Sequence, residues 1–420
     1  MTATADAEGR YRTSAKPGVC FGVTAYPPAG VPYLVRTTPL SQPIRWTPGQ
    51  RVKRVNLALP RGILVRGRIL EAGSHKPVAG AAVQYVPERA NNPHVSEDIL
   101  TGWQTIGVSD RDGRFRSAVL PGPGRLLVHG PDERYVLREI GSREVDRGRP
   151  GGRRMYAHAI RKIEPAADAE SIDVTIELQR GATIRGRVVD EQGNPIDEVL
   201  VISRLNISPL SLFWRGHTAP TLGGRFELGG LEEGRQYTVH FLDPTRRLGA
   251  TARVTAASPE LTVVLRPCGE AKMRFVDADG QPLAGYEPTV RMVVTPGPTP
   301  YDRGALRAGA LQADSDFISN IDRANHGRRL KSDGHGNLTV AALIPGAVYR
   351  VLVHRDKRFH IAREFQVEPG QTVDLGNILA DRPPLRFEHG PPSPPASSSS
   401  TSDKNRSSAE KVFALAASAV

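Results

Sequence analysis

The sequence predicts an all-β fold made of tandem antiparallel β-sandwiches. The twelve-residue phrase "LPRGILVRGRIL", Leu59–Leu70, returns as "LQRGATIRGRVV" at Leu178–Val189. Apolar and charged residues alternate within both copies. The chain also has 42 glycines and 35 prolines among its 420 residues, with aromatic residues at only 6%. Such a composition favours short strands joined by turns over long helices.

The repeated phrase is predicted to be the opening strand of each repeat. Val65, Gly67 and Ile69 alternate with two arginines, and a third copy, "AKMRFVDAD", begins at Ala271. A period of two with one apolar face is typical of a half-buried strand in an antiparallel sheet. We therefore expect the apolar side chains of each opening strand to enter a small core of their own.

Two further landmarks follow each opening strand in the same order. The first is a glycine-containing hairpin, and the second is a strand-forming phrase that ends in histidine. The hairpins read "SDRDGRF" to Phe115, "TLGGRF" to Phe226 and "SDGHGNL" to Leu338, and the later phrases end at His129, His240 and His354. Three landmarks found three times indicate duplication. A unit of about 90 to 120 residues with short strands predicts a two-sheet sandwich, since a parallel sheet needs helical crossovers.

The landmarks divide the chain into three complete repeats and one partial repeat. The segments "KPGVCFGVTA" and "PGQRVKRVNLAL" match the second half of a repeat, so the chain is expected to begin inside one. The predicted domains are residues 1–60 (truncated second half), 61–178 (sandwich with a loop insertion), 179–266 (sandwich), 267–380 (sandwich with a loop insertion) and 381–420 (Pro/Ser-rich disordered tail).

Two of the repeats carry extra residues, which are predicted to form loop insertions without a convincing amphipathic helix. They run from about Pro131 to Pro165 and from about Thr295 to Lys331. Long loops at the ends of a sandwich often carry binding functions. The first insertion contains the densest group of cations, which we expect in a solvated loop: Arg143, Arg147, Arg149, Arg153, Arg154, Arg161 and Lys162.

The charge and the cysteine content limit the classes of partner. A net charge of +12 with a pI near 9.9 raises the prospect of an anionic partner. Because the arginines are spread along the chain, no specific nucleic-acid binding is expected. The 2 cysteines, Cys20 and Cys268, cannot form a disulfide framework or a four-cysteine zinc site. The N-terminal residues show no signal peptide, and no apolar run is long enough to span a membrane.

Several histidines have positions that could suggest a metal site, but they are predicted to have structural roles. His94 and Glu97 have the His-x-x-Glu spacing of zinc carboxypeptidases, but they lie in a Pro/Asn-rich segment without a convincing third ligand. His129, His240 and His354 each end the last landmark phrase of a repeat, so they are predicted to lie at equivalent strand ends. Equivalent positions in separate domains cannot share one metal ion, so these histidines are predicted to cap or pack each unit. Neither a cofactor, a metal nor a catalytic residue is predicted.

The candidate ligand-binding residues are aromatic. Trp103 and Trp214 each lie twelve residues before the hairpin phenylalanine, and Phe213, Arg215 and His217 surround Trp214. Aromatic faces with polar neighbours can stack on sugar rings. Recurrence at one framework position also suits core packing, which leaves both interpretations open. Phe213, Trp214, Arg215, His217 and Trp103 are therefore the predicted binding residues.

Two further patterns are interpreted as structural. Asp110 and Asp277 begin turns that resemble calcium loops, but the remaining oxygen ligands are out of register, so turn formation is expected. Lys272 and Asn377 lie on the first and last strands of a repeat, as an isopeptide bond would require. The alternation places Lys272 on the outward face, whereas that reaction needs a buried neutral amine.

The segments "IRGRVVDEQGNPIDEVLV" and "GGRFELGGLEEGRQYTVHF" resemble the carboxypeptidase regulatory-like domain, over residues 61–380. The resemblance implies a transthyretin-like, Greek-key β-sandwich that also resembles carbohydrate-binding-like domains and arrays in bacterial surface proteins. It further implies a non-catalytic module that binds, spaces or positions something else, with a carbohydrate or another protein as partner, outside the cytoplasm. Two alternatives stay open: an accessory region of a zinc peptidase or other enzyme, and a basic scaffold for an anionic polymer.

Overall fold

The structure is a computed structural model of the chain. It describes residues 2–14, 22–39, 42, 44–45, 49–102, 105–205, 218–258, 260–294, 311–312, 317–319, 330–356 and 358–381. Nearly all regular structure in these residues is β, which confirms the predicted all-β class. Apart from Asp381, the predicted tail lies outside the described residues.

The strands fall into three groups that follow the three copies of the opening phrase. Up to the second copy they are β1 Thr24–Ala25, β2 Arg36–Thr37, β3 Ile63–Glu71, β4 Ala82–Pro87, β5 Gly107–Val108, β6 Arg114–Val119, β7 Gly124–His129, β8 Arg138–Gly141, β9 Gly152–Ala157, β10 Ala159–Ile163 and β11 Ser171–Leu178, with helix α1 at Ser142–Arg147. The next group is β12 Ala182–Val189, β13 Leu200–Ile202, β14 Thr218–Pro220, β15 Arg225–Leu231, β16 Gln236–Asp243, β17 Leu248–Thr255, β18 Leu261–Val264 and β19 Arg266–Pro267. The last is β20 Gly269–Val276, β21 Thr289–Val293, β22 Leu311–Gln312, β23 Phe317–Ser319, β24 Asn337–Leu343, β25 Val348–Arg355, β26 Arg358–Phe365 and β27 Thr372–Leu379.

Each group forms a smaller and a larger sheet, and we call the groups the first, second and third sandwich. The smaller sheets have the orders β11-β3-β6, β15-β12-β18 and β24-β20-β27. The larger sheets are β10-β7-β4-β5, β14-β13-β16-β17-β19 and β23-β21-β25-β26. The opening strand is central in each smaller sheet. It pairs antiparallel with the hairpin strand and parallel with a strand near the end of the group, namely β11, β18 or β27. The parallel pair departs from the all-antiparallel pattern, because the chain crosses between the sheets before it reaches that strand.

Burial along the opening strand follows the predicted alternation. Val65 and Ile69 are buried with 0% exposure, whereas Arg66 and Arg68 are exposed. The second and third copies keep the same inward face. The cores are less separate than predicted, since one continuous apolar cluster joins the second and third sandwiches while the first has a cluster of its own.

The first insertion is folded, which the sequence did not predict. Its elements β8, α1 and β9 lie over the outer face of the larger sheet, where Ile140, Val145 and Met155 pack on Leu127 of β7. Five of the seven clustered cations are exposed as expected, but Arg154 is buried. Helix α1 spans six residues, and no helix in the described part of the chain is long and apolar enough to cross a membrane.

The two insertions meet in one small sheet. Strand β22, from the third group, pairs in parallel with β9, where Leu311 lies opposite Gly152 and Gln312 opposite Arg153. Together with β8 they form the sheet β22-β9-β8. A contact between the first and third groups therefore bypasses the second sandwich.

A buried hydroxyl fixes the hairpin of each sandwich. The Ser109 Oγ accepts the Ala81 N–H at 2.9 Å and donates to the Val78 carbonyl at 2.7 Å. Thr221 and Ser332 make the same pair of bonds in the second and third sandwiches. Each is the first residue of its hairpin phrase, so a serine or threonine at this position of the repeat indicates the bond in the sequence.

Candidate functional site

The predicted ligand-binding residues are not placed by the structure. Phe213, Trp214, Arg215, His217 and Trp103 lie outside the described residues. Their role in carbohydrate binding therefore stays a prediction.

The three predicted histidines are not all equivalent. The Tyr237 hydroxyl accepts the N–H of the residue five positions upstream at 3.0 Å, and the Tyr349 hydroxyl does the same at 2.7 Å, so the two tyrosines align. His240 lies three positions after Tyr237, and the matching residue after Tyr349 is Leu352. His240 differs from His129 too, since His129 lies opposite Ala82 on the neighbouring strand whereas His240 lies opposite Ile202, two positions further along that strand. The predicted equivalence is therefore wrong for His240.

His129 and His240 are buried and neutral. His129 is 0% exposed, and its Nε2–H donates to the Tyr156 carbonyl at 2.9 Å. His240 is 2% exposed, and its Nδ1 lies 3.0 Å from Thr251 Oγ1. That hydroxyl donates to the Pro345 carbonyl at 2.7 Å, so it accepts the Nδ1–H of His240. Burial lowers the pKa of both histidines to about 4.

A second buried histidine lies beside His129. The His158 Nδ1 accepts the Gly130 N–H at 2.7 Å, and the centroids of the His129 and His158 rings are 6.0 Å apart. Burial, with a smaller effect of the neighbouring His129, lowers the pKa of His158 to about 3. Both rings lie where β8 and β9 cover the larger sheet. Their neutral state suits this covered position.

The aspartate turns have the structural role that the sequence favoured. The Asp110 Oδ1 accepts the N–H groups of the residues two and four positions later, at 2.9 and 2.8 Å. Asp190, Asp277 and Asp333 make the same pair of bonds. Lys272 is exposed as predicted, with its Nζ 3.9 Å from Glu270 Oε1. Within the described residues, no three His, Cys, Asp or Glu side chains are grouped to hold a metal ion.

The junctions before the first two sandwiches share one hydrogen-bond pattern. Before β3, Leu34 N–H donates to the Pro60 carbonyl and Gly62 N–H to the Pro32 carbonyl, both at 2.9 Å. Before β12, Val136 N–H donates to the Gln179 carbonyl at 2.8 Å and Gly181 N–H to the Arg134 carbonyl at 2.9 Å. An antiparallel bridge lies between the two bonds in each case, Tyr33 with Arg61 and Tyr135 with Arg180. Each connection is therefore fixed by antiparallel backbone hydrogen bonds, as in a short β-ladder.

The third junction is bound more extensively. The Cys268 N–H donates to the Arg247 carbonyl at 2.8 Å, and β19 pairs with β17 through Leu248 and Pro267. Ile344 of the third sandwich packs into the shared core beside this junction. The Thr251 hydroxyl also bonds across it to Pro345. Consecutive sandwiches thus share backbone bonds and apolar contacts.

A cluster of arginines surrounds Glu139 where β8 meets the second sandwich. We define the Glu139 cluster as Arg138, Glu139, Arg154, Arg204, Glu232 and Arg235. Arg154 Nη1 lies 2.7 Å from Glu139 Oε2 and Arg235 Nη2 lies 2.6 Å from Glu139 Oε1, which Arg204 Nη1 also contacts. One carboxylate therefore binds three guanidinium groups.

The surroundings of Glu139 favour its charged form. Burial alone would raise the pKa of this carboxyl, but Arg204, Arg154 and Arg235 together hold it below its ordinary value. The guanidinium carbons of Arg204 and Arg235 lie 5.0 and 5.7 Å from the centroid of the Tyr237 ring. The cluster continues to Arg138, whose Nη1 lies 2.6 Å from Glu232 Oε1. The cluster could not be seen in the sequence, because Glu139 is distant in the chain from Arg204 and Arg235 and only the fold brings them together.

Comparisons with known proteins assign neither a family nor a function. No protein family matches the chain, and no curated protein matches it. Weakly similar solved structures include the Bacillus anthracis TIE protein, with 12% identity and a TM-score of 0.20 over 76% of this chain and 52% of that one. A streptococcal ancillary pilin shows 12% identity and a TM-score of 0.20 over 76% and 99%. A shaft pilin from Lactobacillus rhamnosus GG shows 9% identity and a TM-score of 0.19 over 77% of this chain and 99% of that one. The chain spans about half the length of the Bacillus anthracis protein.

Proposed function

We propose that the chain is a non-catalytic spacer, a stiff array of β-sandwiches that holds other parts of a larger assembly at fixed separation. The proposal places it outside the cytoplasm, in keeping with the resemblance to carboxypeptidase regulatory-like arrays. The observation that carries it is the repeated hydrogen bonding of the connections between sandwiches.

The length of the connections supports stiffness. Three residues separate the end of β11 at Leu178 from the start of β12 at Ala182, and one residue separates β19 from β20. A free linker of several residues lets two domains reorient, whereas a short connection with its backbone bonded has few conformations left. The shared core of the second and third sandwiches and the pairing of β22 with β9 restrict the array further.

Distance distributions between spin labels test the proposal. Labels on the exposed positions Ser74 and Gln192 report across the junction before β12, in a chain whose two cysteines are replaced. We expect a distribution as narrow as that of a pair within one sandwich, Ser74 with Glu164. A Gly-Ser insertion after Arg180 should broaden it, and the same insertion after Asp356, in the exposed β25–β26 turn, should not. A broad distribution in the chain without insertions would overturn the spacer proposal.

A further inference from the structure

We propose that the Glu139 cluster binds an oxyanion, namely the sulfate or carboxylate group of an acidic polysaccharide. This site is independent of stiffness, since a flexible array could hold the same cluster. It lies where the first insertion meets the second sandwich, at the end of β13 and the start of β16.

The charges of the cluster do not balance. Its four arginines and two glutamates carry a formal charge of +2 (4 − 2) among the described residues. Three of the arginines share the Glu139 carboxylate, and Arg138 and Arg235 share Glu232, with Arg235 Nη1 3.7 Å from Glu232 Oε2. A guanidinium offers five N–H donors, while a carboxylate accepts about four bonds. Arg138 Nη2 also donates to Gln179 Oε1, and the cluster still has more N–H donors than these acceptors can take.

The excess donors can be reached by a ligand. The side chains of Arg138 and Arg235 are 42% and 36% exposed, whereas those of Arg204 and Glu139 are 12% and 14% exposed. The interior of the cluster is thus shielded from water and its edge is open. Shielding strengthens the attraction to an anion, and a partly buried positive charge is costly until an anion neutralises it.

The form of the cluster favours a polysaccharide over a nucleic acid. Duplex DNA presents one negative charge per roughly 1.7 Å, which calls for an extended basic surface. This cluster is compact and offers no such extended surface. The Glu232 side chain at its edge is 29% exposed. A sugar ring with one sulfate or carboxylate has a lower charge density. Its hydroxyl groups can also donate hydrogen bonds to the Glu232 oxygens.

Calorimetric titration of the full chain at low ionic strength tests the site. The probes are a chondroitin-sulfate-type oligosaccharide with one acidic group per ring, an oligogalacturonate, a neutral dextran oligosaccharide, inorganic sulfate and a duplex DNA oligonucleotide. We expect the two acidic oligosaccharides to bind and the neutral one not to bind. Arg235→Gln and Arg138→Gln should each weaken binding about tenfold, the loss expected for one charge-assisted hydrogen bond.

Arg185→Gln is the matched control, because Arg185 is 76% exposed and pairs with Glu227 away from the cluster. Its affinity should stay within about twofold of the original chain, a change of about 0.4 kcal/mol. Melting curves establish that all variants are folded. An equal loss in the Arg185 variant would mean that general charge drives binding, and it would overturn the site. DNA binding as tight as that of the oligosaccharides, binding of inorganic sulfate alone, or no binding at all would also overturn it.

Discussion

Gly67 lies directly opposite Phe115 on the neighbouring strand, and the phenylalanine ring covers the glycine. A Cβ atom added to Gly67 would lie 2.0 Å from Phe115 Cε1. Gly186 and Phe226 repeat the arrangement in the second sandwich, where the added Cβ would lie 2.5 Å from Phe226 Cζ. In the third sandwich the same pair is Met273 and Leu338. The side chains at the two facing positions therefore share one space in the core, so a large residue on one strand requires a small residue opposite it.

Gly67→Ala should destabilise the first sandwich by about 1 to 3 kcal/mol, because the new methyl group overpacks the site beneath Phe115. The double variant Gly67→Met with Phe115→Leu copies the third sandwich and should recover part of the loss. Denaturant midpoints from circular dichroism measure both effects. The control is Gly334→Ala, where no atom lies within 4 Å of the added Cβ. An unchanged midpoint in Gly67→Ala would show that the ring does not depend on the glycine.

The opening strands could be predicted because their information is local. Alternation between Val65 and Arg66 fixes the strand and its buried face within a few residues. The repeat also predicted the hairpins, since Asp110 bonds to backbone groups within four residues of itself. A local pattern of this kind is visible without knowledge of the fold.

The folded insertion and the Glu139 cluster could not be predicted because their partners are distant in the chain. Strand β9 pairs with β22, from residues near position 311, and Glu139 meets Arg235 across 96 positions. Short strands of two to six residues give little periodicity. The parallel pairing of β3 with β11 depends in the same way on the path between the sheets. Such contacts follow from packing that a single sequence does not show.

Ser332→Ala should destabilise the third sandwich by about 1 to 3 kcal/mol, the cost of leaving a buried donor without its acceptor. The lost hydroxyl accepts the Tyr286 N–H at 2.8 Å and donates to the Leu283 carbonyl at 2.6 Å. Ser332→Thr should lose much less, since Thr221 fills the same position in the second sandwich. Urea unfolding measures the difference, with the exposed Ser74→Ala as control. Equal stability of Ser332→Ala and Ser332→Thr would contradict the role of the hydroxyl.

His240→Leu should make stability less dependent on pH. His240 has a folded pKa of about 4 and an unfolded pKa near 6.5, so the unfolded state takes up the proton first as the pH falls. The stabilising contribution of the neutral ring is complete above pH 6.5 and is lost between pH 6.5 and 4, by roughly 1.4 kcal/mol per pH unit. His129 and His158 act in the same direction, with folded pKa values of about 4 and 3.

The choice of leucine follows the third sandwich, which has Leu352 at the matching position. Urea midpoints at pH 7.5 and pH 5 should differ less for His240→Leu than for the original chain. The exposed His335→Gln is the control and should keep the original difference. If the urea midpoint of His240→Leu changes with pH as much as that of the original chain, protonation of His240 on unfolding does not contribute to the pH dependence.

Glu139→Gln should destabilise the junction between the first insertion and the second sandwich by about 3 kcal/mol. The side chains of Arg154 and Arg204 are only 10% and 12% exposed. Replacing the Glu139 carboxylate with a neutral amide removes the negative charge that offsets their burial, which is costly for a buried ion pair. Glu227→Gln, which breaks an exposed pair with Arg185, should cost less than about 1 kcal/mol. Thermal melting compares the two. If both variants melt alike, the buried cluster contributes no more than a surface ion pair.

Trp214 distinguishes sugar binding from core packing. The chain contains 3 tryptophans, so Trp46→Phe with Trp103→Phe leaves Trp214 as the only one. If the ring stacks on a neutral oligosaccharide, its emission should shift on titration, and Trp214→Ala should remove binding while the melting temperature changes little. A ring packed in the core should give an unchanged emission spectrum across a panel of neutral glycans. Trp214→Ala should then lower the free energy of unfolding by about 3 to 5 kcal/mol. Because the panel is uncharged, a shift would identify an aromatic sugar site distinct from the oxyanion site at Glu139.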